Sequence, residues 1–96
     1  MSDIRKRLQG DIAKISWQEI IPHAKRDAVV VINQKLDLLD VAEAIALDNT
    51  LVVNNWIADN LITKPSMIQL NDWNNSPETK FVTAIVQPFV IIQAVD

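Results

Sequence analysis

The sequence predicts an α+β domain, and three observations predict it. Between Leu36 and Lys64 apolar residues recur every three or four positions, the spacing of two consecutive amphipathic helices. Ala28-Val29-Val30-Val31-Ile32 is an unbroken, mostly β-branched run of the kind found in buried strands. Near the other end, Phe81–Val86 and Phe89–Gln93 are strongly strand-like and are parted by Gln87-Pro88. All of this lies within 96 residues, so residues 1–96 are read as a single domain with one core. That length leaves no room for an elaborate active site.

Taken in order, the first element is a helix. Ile4, Leu8, Ile12 and Ile15 fall on one stripe of a 3.6-residue period, with Arg5, Lys6, Arg7 and Lys14 facing away. Ser16-Trp17-Gln18-Glu19 has the form of a capping box; either a second short helix starts there or the first continues, and Pro22 is expected to end whichever it is. The polar stretch from Pro22 to Asp27 reads as a turn before the strand at residues 28–32.

In the central pair, Leu38, Val41, Ala42 and Ile45 share one helical face, and Asp37 or its predecessor caps the start. Asp48 is the expected N-cap of the next helix. Its Val53, Trp56 and Ile57 form the buried stripe, while Asn54, Asn55 and Asp59 face out. Asn60 suits a left-handed C-cap, and Leu61-Ile62-Thr63 then extends as a short strand until Pro65. Ser66 caps a short helix over Met67–Trp73, followed by a loop at residues 74–77 and the two final strands. Pro88 cannot donate to a ladder, so it marks a bend, a bulge or an edge.

The order is helix, strand, helix, helix, strand, extra helix, strand, strand. Apart from the extra helix, that is the order of a winged helix. The expectation is therefore a winged-helix-like core: a helix-turn-helix pair and a small antiparallel sheet, with a short helix inserted before the last strands.

Two resemblances accompany this reading. Val41-Ala42-Glu43-Ala44, Val53, Trp56-Ile57 and Leu61-Ile62 resemble the helix-turn-helix of small bacterial regulators and excisionases. The turn at Leu47-Asp48-Asn49 departs from that pattern because it has no glycine. Over nearly the whole chain, Trp17, Ile21-Pro22-His23, Arg26-Asp27, Leu36-Asp37-Leu38, Trp56-Ile57, Lys64-Pro65 and Ile85-Val86-Gln87-Pro88-Phe89-Val90 appear in order. Together they resemble domain of unknown function 2288, a family of short cyanobacterial and proteobacterial proteins. That resemblance implies a bacterial, cytosolic origin and no known activity.

Composition excludes several functions. The chain has no cysteine, which rules out disulfides, thiolate metal sites and thiol nucleophiles. Its one glycine, Gly10, rules out a glycine-rich phosphate loop. No apolar run approaches the roughly 20 residues that span a bilayer. Met1–Arg7 has no apolar stretch behind its charges, so neither a membrane anchor nor a secretory signal is expected, and the location is read as cytoplasmic.

Candidate chemistry is sparse. His23, Arg26 and Asp27 form the one cluster that could move a proton. On a helix His23 and Asp27 would pair at i and i+4, which would raise the imidazole pKa. No nucleophile or second acid accompanies them, so a structural or surface role is expected. Asp37, Asp40, Glu43 and Asp48 have the spacing of a solvated helix face rather than of a calcium loop. No catalytic, cofactor-binding or metal-binding residue is assigned, and the chain is read as non-enzymatic.

Shape and charge disagree about DNA. Asn54 and Asn55 could read adenine edges, but duplex binding rests on Lys and Arg meeting phosphates. From Leu36 to Thr63 there is no Lys or Arg, against five acids: Asp37, Asp40, Glu43, Asp48 and Asp59. Nucleic acid is therefore disfavoured at the central helices, and a regulator-like alternative would need the basic first helix. The leading expectation is a protein–protein interaction module that homodimerises. Its surface would be the apolar C-terminal strands with Phe89, Val90 and Ile91, because one layer of helices covers only one face of a sheet.

Overall fold

The computed structural model describes residues 3–95. Ten elements follow one another: α1 (Asp3–Asp11), β1 (Ala13–Ser16), α2 (Trp17–Lys25), β2 (Val29–Ile32), α3 (Leu38–Ala46), α4 (Thr50–Ala58), β3 (Ile62–Thr63), α5 (Met67–Asn75), β4 (Lys80–Val86) and β5 (Phe89–Ala94). The architecture is α+β, as the sequence predicts. The sheet is larger than expected, with five strands in the order β1-β4-β5-β2-β3.

Pairing is mixed. β1 pairs antiparallel with β4, β4 with β5, and β2 with β3. β5 lies parallel to β2, in the register Val29↔Val90, Val30↔Ile91 and Val31↔Ile92. The last strand thus joins two otherwise separate hairpin-like halves.

Both faces of the sheet are covered. Successive strand residues point to opposite sides, so Ala84, Val86, Ile91 and Ile32 meet Leu8 of α1 and Leu38, Val41 and Ala42 of α3 on one face. On the other, Val29, Phe81, Val90 and Ile92 meet Trp17 and Ile20 of α2, with Leu70 and Trp73 of α5 packed against them. Trp73 lies 4.9 Å from Trp17 and 4.9 Å from Phe81 in tilted and edge-on geometries that suit aromatic quadrupoles. The Trp17 indole N–H donates to Asn74 at 2.8 Å, so the polar handle of this buried ring is satisfied.

Several expectations are corrected here. Ile15 belongs to β1 rather than to the first helix, because residues 13–16 pair with the free edge of β4. Pro22 lies inside α2 and does not end it. The carbonyl left without its N–H belongs to Gln18, which is exposed and can bind water. The capping box at Ser16 does not form. Instead, the N–H groups of Trp17 and Gln18 donate to the carbonyls of Thr79 and Pro77 at 2.8 and 2.9 Å. Asp48 does not cap α4: it sits at φ 57° and takes the left-handed place a glycine would fill, while Asn49 caps. Asn60 is left-handed as expected, at φ 60°.

The largest correction concerns the expected dimer surface. Val90 and Ile91 are 3% and 0% exposed, so they belong to the core and not to an interaction surface. The second face that was to need another copy is covered within the chain by α2 and α5. Trp56 is likewise only half-buried, and Trp17 is the tryptophan at the centre of a core.

Candidate functional site

The α3–α4 hairpin leaves apolar surface unused, with Leu47, Leu51 and Ile57 all exposed. Asp37 caps α3, its carboxylate accepting from the Leu39 N–H, and the Asn49 side chain accepts from the Val52 N–H at the start of α4. The two helices are therefore well started. Yet no residue of α4 is buried, although its sequence is Thr-Leu-Val-Val-Asn-Asn-Trp-Ile-Ala. The reason lies beneath it. The sheet narrows to β3, two residues long, so there is little surface for α4 to rest on.

The result is a cleft of about 550 Å³ between α4 and the sheet edge. Its walls are Val30, Ile45, Val53, Ile57, Ile62 and Phe89. Its rim is polar but mostly uncharged: Asn49, Thr50, Asn54, Asn60 and Thr63, with one acid, Asp48, and one base, Lys64. Lys64 reaches away to an ion pair with Asp27, in the turn after α2. The outer side of the hairpin exposes Leu47 and Leu51, 57% and 75% accessible and four residues apart across the turn.

The residues singled out from the sequence are scattered by this geometry. Asn54 stands on the cleft rim, and Asn55 is exposed on α4 outside it. Phe89, 40% exposed, forms part of the cleft wall and is the one member of the C-terminal trio that reaches a surface. His23 and Asp27 do not pair. The Arg26 guanidinium donates to Nδ1 of His23, and Asp27 turns to φ 58° and meets Lys64 instead. A turn that goes left-handed at Asp27 carries its carboxylate off the face of α2, which is why the i, i+4 expectation fails. The cluster offers no aligned proton relay.

The acidic face of α3 is also occupied. Arg5 of α1 donates to Asp40 at 2.9 Å and to Glu43 at 3.1 Å, which ties α1 to α3. The hydrogen bond to Asp40, with the charges of both carboxylates, raises the Arg5 pKa above its ordinary value despite partial desolvation. Among the described residues no three His, Asp or Glu side chains gather as a metal site would require. Sequence reasoning missed Val30, Ile45 and Ile62 as cleft walls, because periodicity marks them only as apolar. Among the described residues no helix is long and apolar enough to cross a membrane.

A five-stranded mixed sheet with helices on both faces and an open α-hairpin at one edge defines the structural class. Within that class, the chain belongs to the family described as protein of unknown function DUF2288, whose model matches residues 3–94. It is also similar to a solved structure, the NMR solution structure of PA1075 from Pseudomonas aeruginosa. That protein is 29% identical, with a TM-score of 0.82 over 100% of this chain and 89% of the other. Among curated proteins nothing matches.

Proposed function

We propose that this protein is a non-enzymatic interaction module that docks a protein partner on the outer side of the α3–α4 hairpin. One observation carries the reading: Leu47 and Leu51 stand exposed together on a hairpin without a single basic residue. Contiguous exposed apolar surface marks association sites. With Asp40 and Glu43 held by Arg5, the hairpin still carries Asp37, Asp48 and Asp59 and no base to meet phosphates, so the partner is protein. The simplest such partner is a second copy in two-fold symmetry, meeting through Leu47 and Leu51 and no longer through Val90 and Ile91. In this reading the winged-helix likeness is confined to α3, α4 and β3, used as a protein-docking hairpin.

The test is sedimentation at micromolar concentration. The expected mass is twice the 10.8 kDa of one chain, falling to a folded monomer in Leu51→Asp. A wild-type monomer across the concentration range, with no protein adduct from a photo-crosslinker at residue 51 in cells, overturns the proposal.

A second reading, nucleic-acid binding, is favoured by one feature of the register. Lys14 pairs with Val82 and Ser16 with Lys80, so Lys14 and Lys80 share the sheet face that α1 covers. Lys6 and Arg7 are likewise exposed, on α1. A salt-sensitive duplex shift that Lys14→Glu with Lys80→Glu abolishes would replace the first reading with this one.

A further inference from the structure

We propose that the cleft beneath α4 is a small-molecule site, taking an uncharged, largely apolar ligand that carries carbonyl, amide or hydroxyl groups at one edge. This goes beyond the docking reading, which concerns the opposite side of the same helix.

Size comes first. At about 550 Å³ the cleft lies within the range of roughly 300–1,000 Å³ typical of small-ligand pockets. Its length sets what can enter. α4 overhangs it from Thr50 to Ile57, seven steps of about 1.5 Å, or roughly 10 Å. The Asp48-Asn49 turn bounds one end and Asn60 the other. A trough of about 10 Å, roughly two turns of helix, gives a docked helix little to grip and suits a compact molecule.

Charge and hydrogen bonding then select the ligand. The walls are aliphatic apart from the Phe89 ring. The rim carries one acid, Asp48, and one base, Lys64, and the base already holds Asp27 outside the cleft. An anion would therefore lose its hydration shell without gaining a free cation, and a cation would meet only the exposed, solvated Asp48, where an ion pair gains little. Three rim asparagines, Asn49, Asn54 and Asn60, each present an amide that can donate and accept. Such groups suit neutral carbonyl, amide or hydroxyl partners. Finally, α4 has no buried residue, so a molecule beneath it supplies the packing that the short β3 does not. Occupancy thus braces α4.

The experiment compares two dyes built on one skeleton, using the full chain. N-phenyl-naphthylamine is uncharged, and anilinonaphthalene sulfonate is its anionic counterpart. The expected result is saturable binding of one neutral dye per chain in the micromolar range, with the sulfonate about tenfold weaker or worse. Methyl shifts should concentrate on Val53, Ile57 and Ile62, and amide exchange should slow along α4. Val53→Trp fills the cleft and should abolish binding. Should that variant misfold, Thr50→Trp at the exposed mouth serves the same purpose. Leu51→Asp lies outside the cleft and should leave dye binding intact even where it abolishes dimerisation. The failures of the two proposals can therefore be told apart. Absence of saturable binding, equal binding of both dyes, or binding that survives both cleft-filling variants overturns the inference.

Discussion

The two faces of the sheet are built to different standards. Against one, α2 and α5 close over Trp17, Trp73 and Phe81, while Ile85 near the end of β4 and Met67 and Ile68 at the start of α5 protrude. Against the other, α1 and α3 pack closely, but α4 stands off and leaves a cleft. Both faces are apolar in sequence, so hydrophobicity does not separate them. What differs is the area of sheet beneath the helices: seven-residue β4 and six-residue β5 on the first side, two-residue β3 under α4 on the second. Stability therefore rests on both packed clusters, and the corner under α4 is the loosely packed part.

Three substitutions break or sharpen this contrast, and the largest effect is expected at the centre. Ile91→Asp places a carboxylate, with no partner, where the wild-type side chain is fully enclosed. The chain should not fold, and circular dichroism should show loss of native structure instead of a soluble, folded monomer. A folded, monomeric Ile91→Asp protein would restore the C-terminal strands as a dimer surface.

Next comes the aromatic side. Trp17→Ala removes a ring that is 1% exposed, and truncations of this kind cost about 3–5 kcal/mol. Set against a total of about 5–15 kcal/mol for an ordinary domain, that loss should bring thermal melting down steeply. The smallest effect is expected on the open side. Ile57, 49% exposed on the cleft wall, should cost no more than about 1 kcal/mol as Ile57→Ala, read from denaturant unfolding. A cost matching that of Trp17 would mean that α4 is packed as firmly as α2.

Much of the fold was legible along the chain, and the losses have physical causes. The spacing of Leu38, Val41, Ala42 and Ile45 located α3, and Ser66 marked the start of α5, where its capping box with Gln69 forms. β1 was not legible. Ile12 and Ile15 continue the helical stripe of Ile4 and Leu8, and four residues carry too little alternation to argue otherwise; only the free edge of β4 decides. The strand order was equally hidden, since the parallel match of β2 to β5 is made between segments far apart in the chain. As for the site, Asn54 and Phe89 were marked from the sequence and both line the cleft. The cleft itself was invisible, because periodicity tells which residues share a face of α4 and not how far that helix rides above the strands.

The central place of β5 also has a consequence in time. Val30 and Ile91 are neighbours in the sheet but 61 positions apart in the chain (91 − 30). During synthesis the β2–β3 pair can form early, and β1 must wait for β4. Neither half can join the other until Phe89–Ala94 has been made and inserted between them. Closing so long a loop is slow compared with forming local helices. The newborn chain thus passes through a stage in which the inner edges of β2 and β4 are open at once, and this makes the wait for the last strand its period of greatest exposure to mispairing and to chaperones.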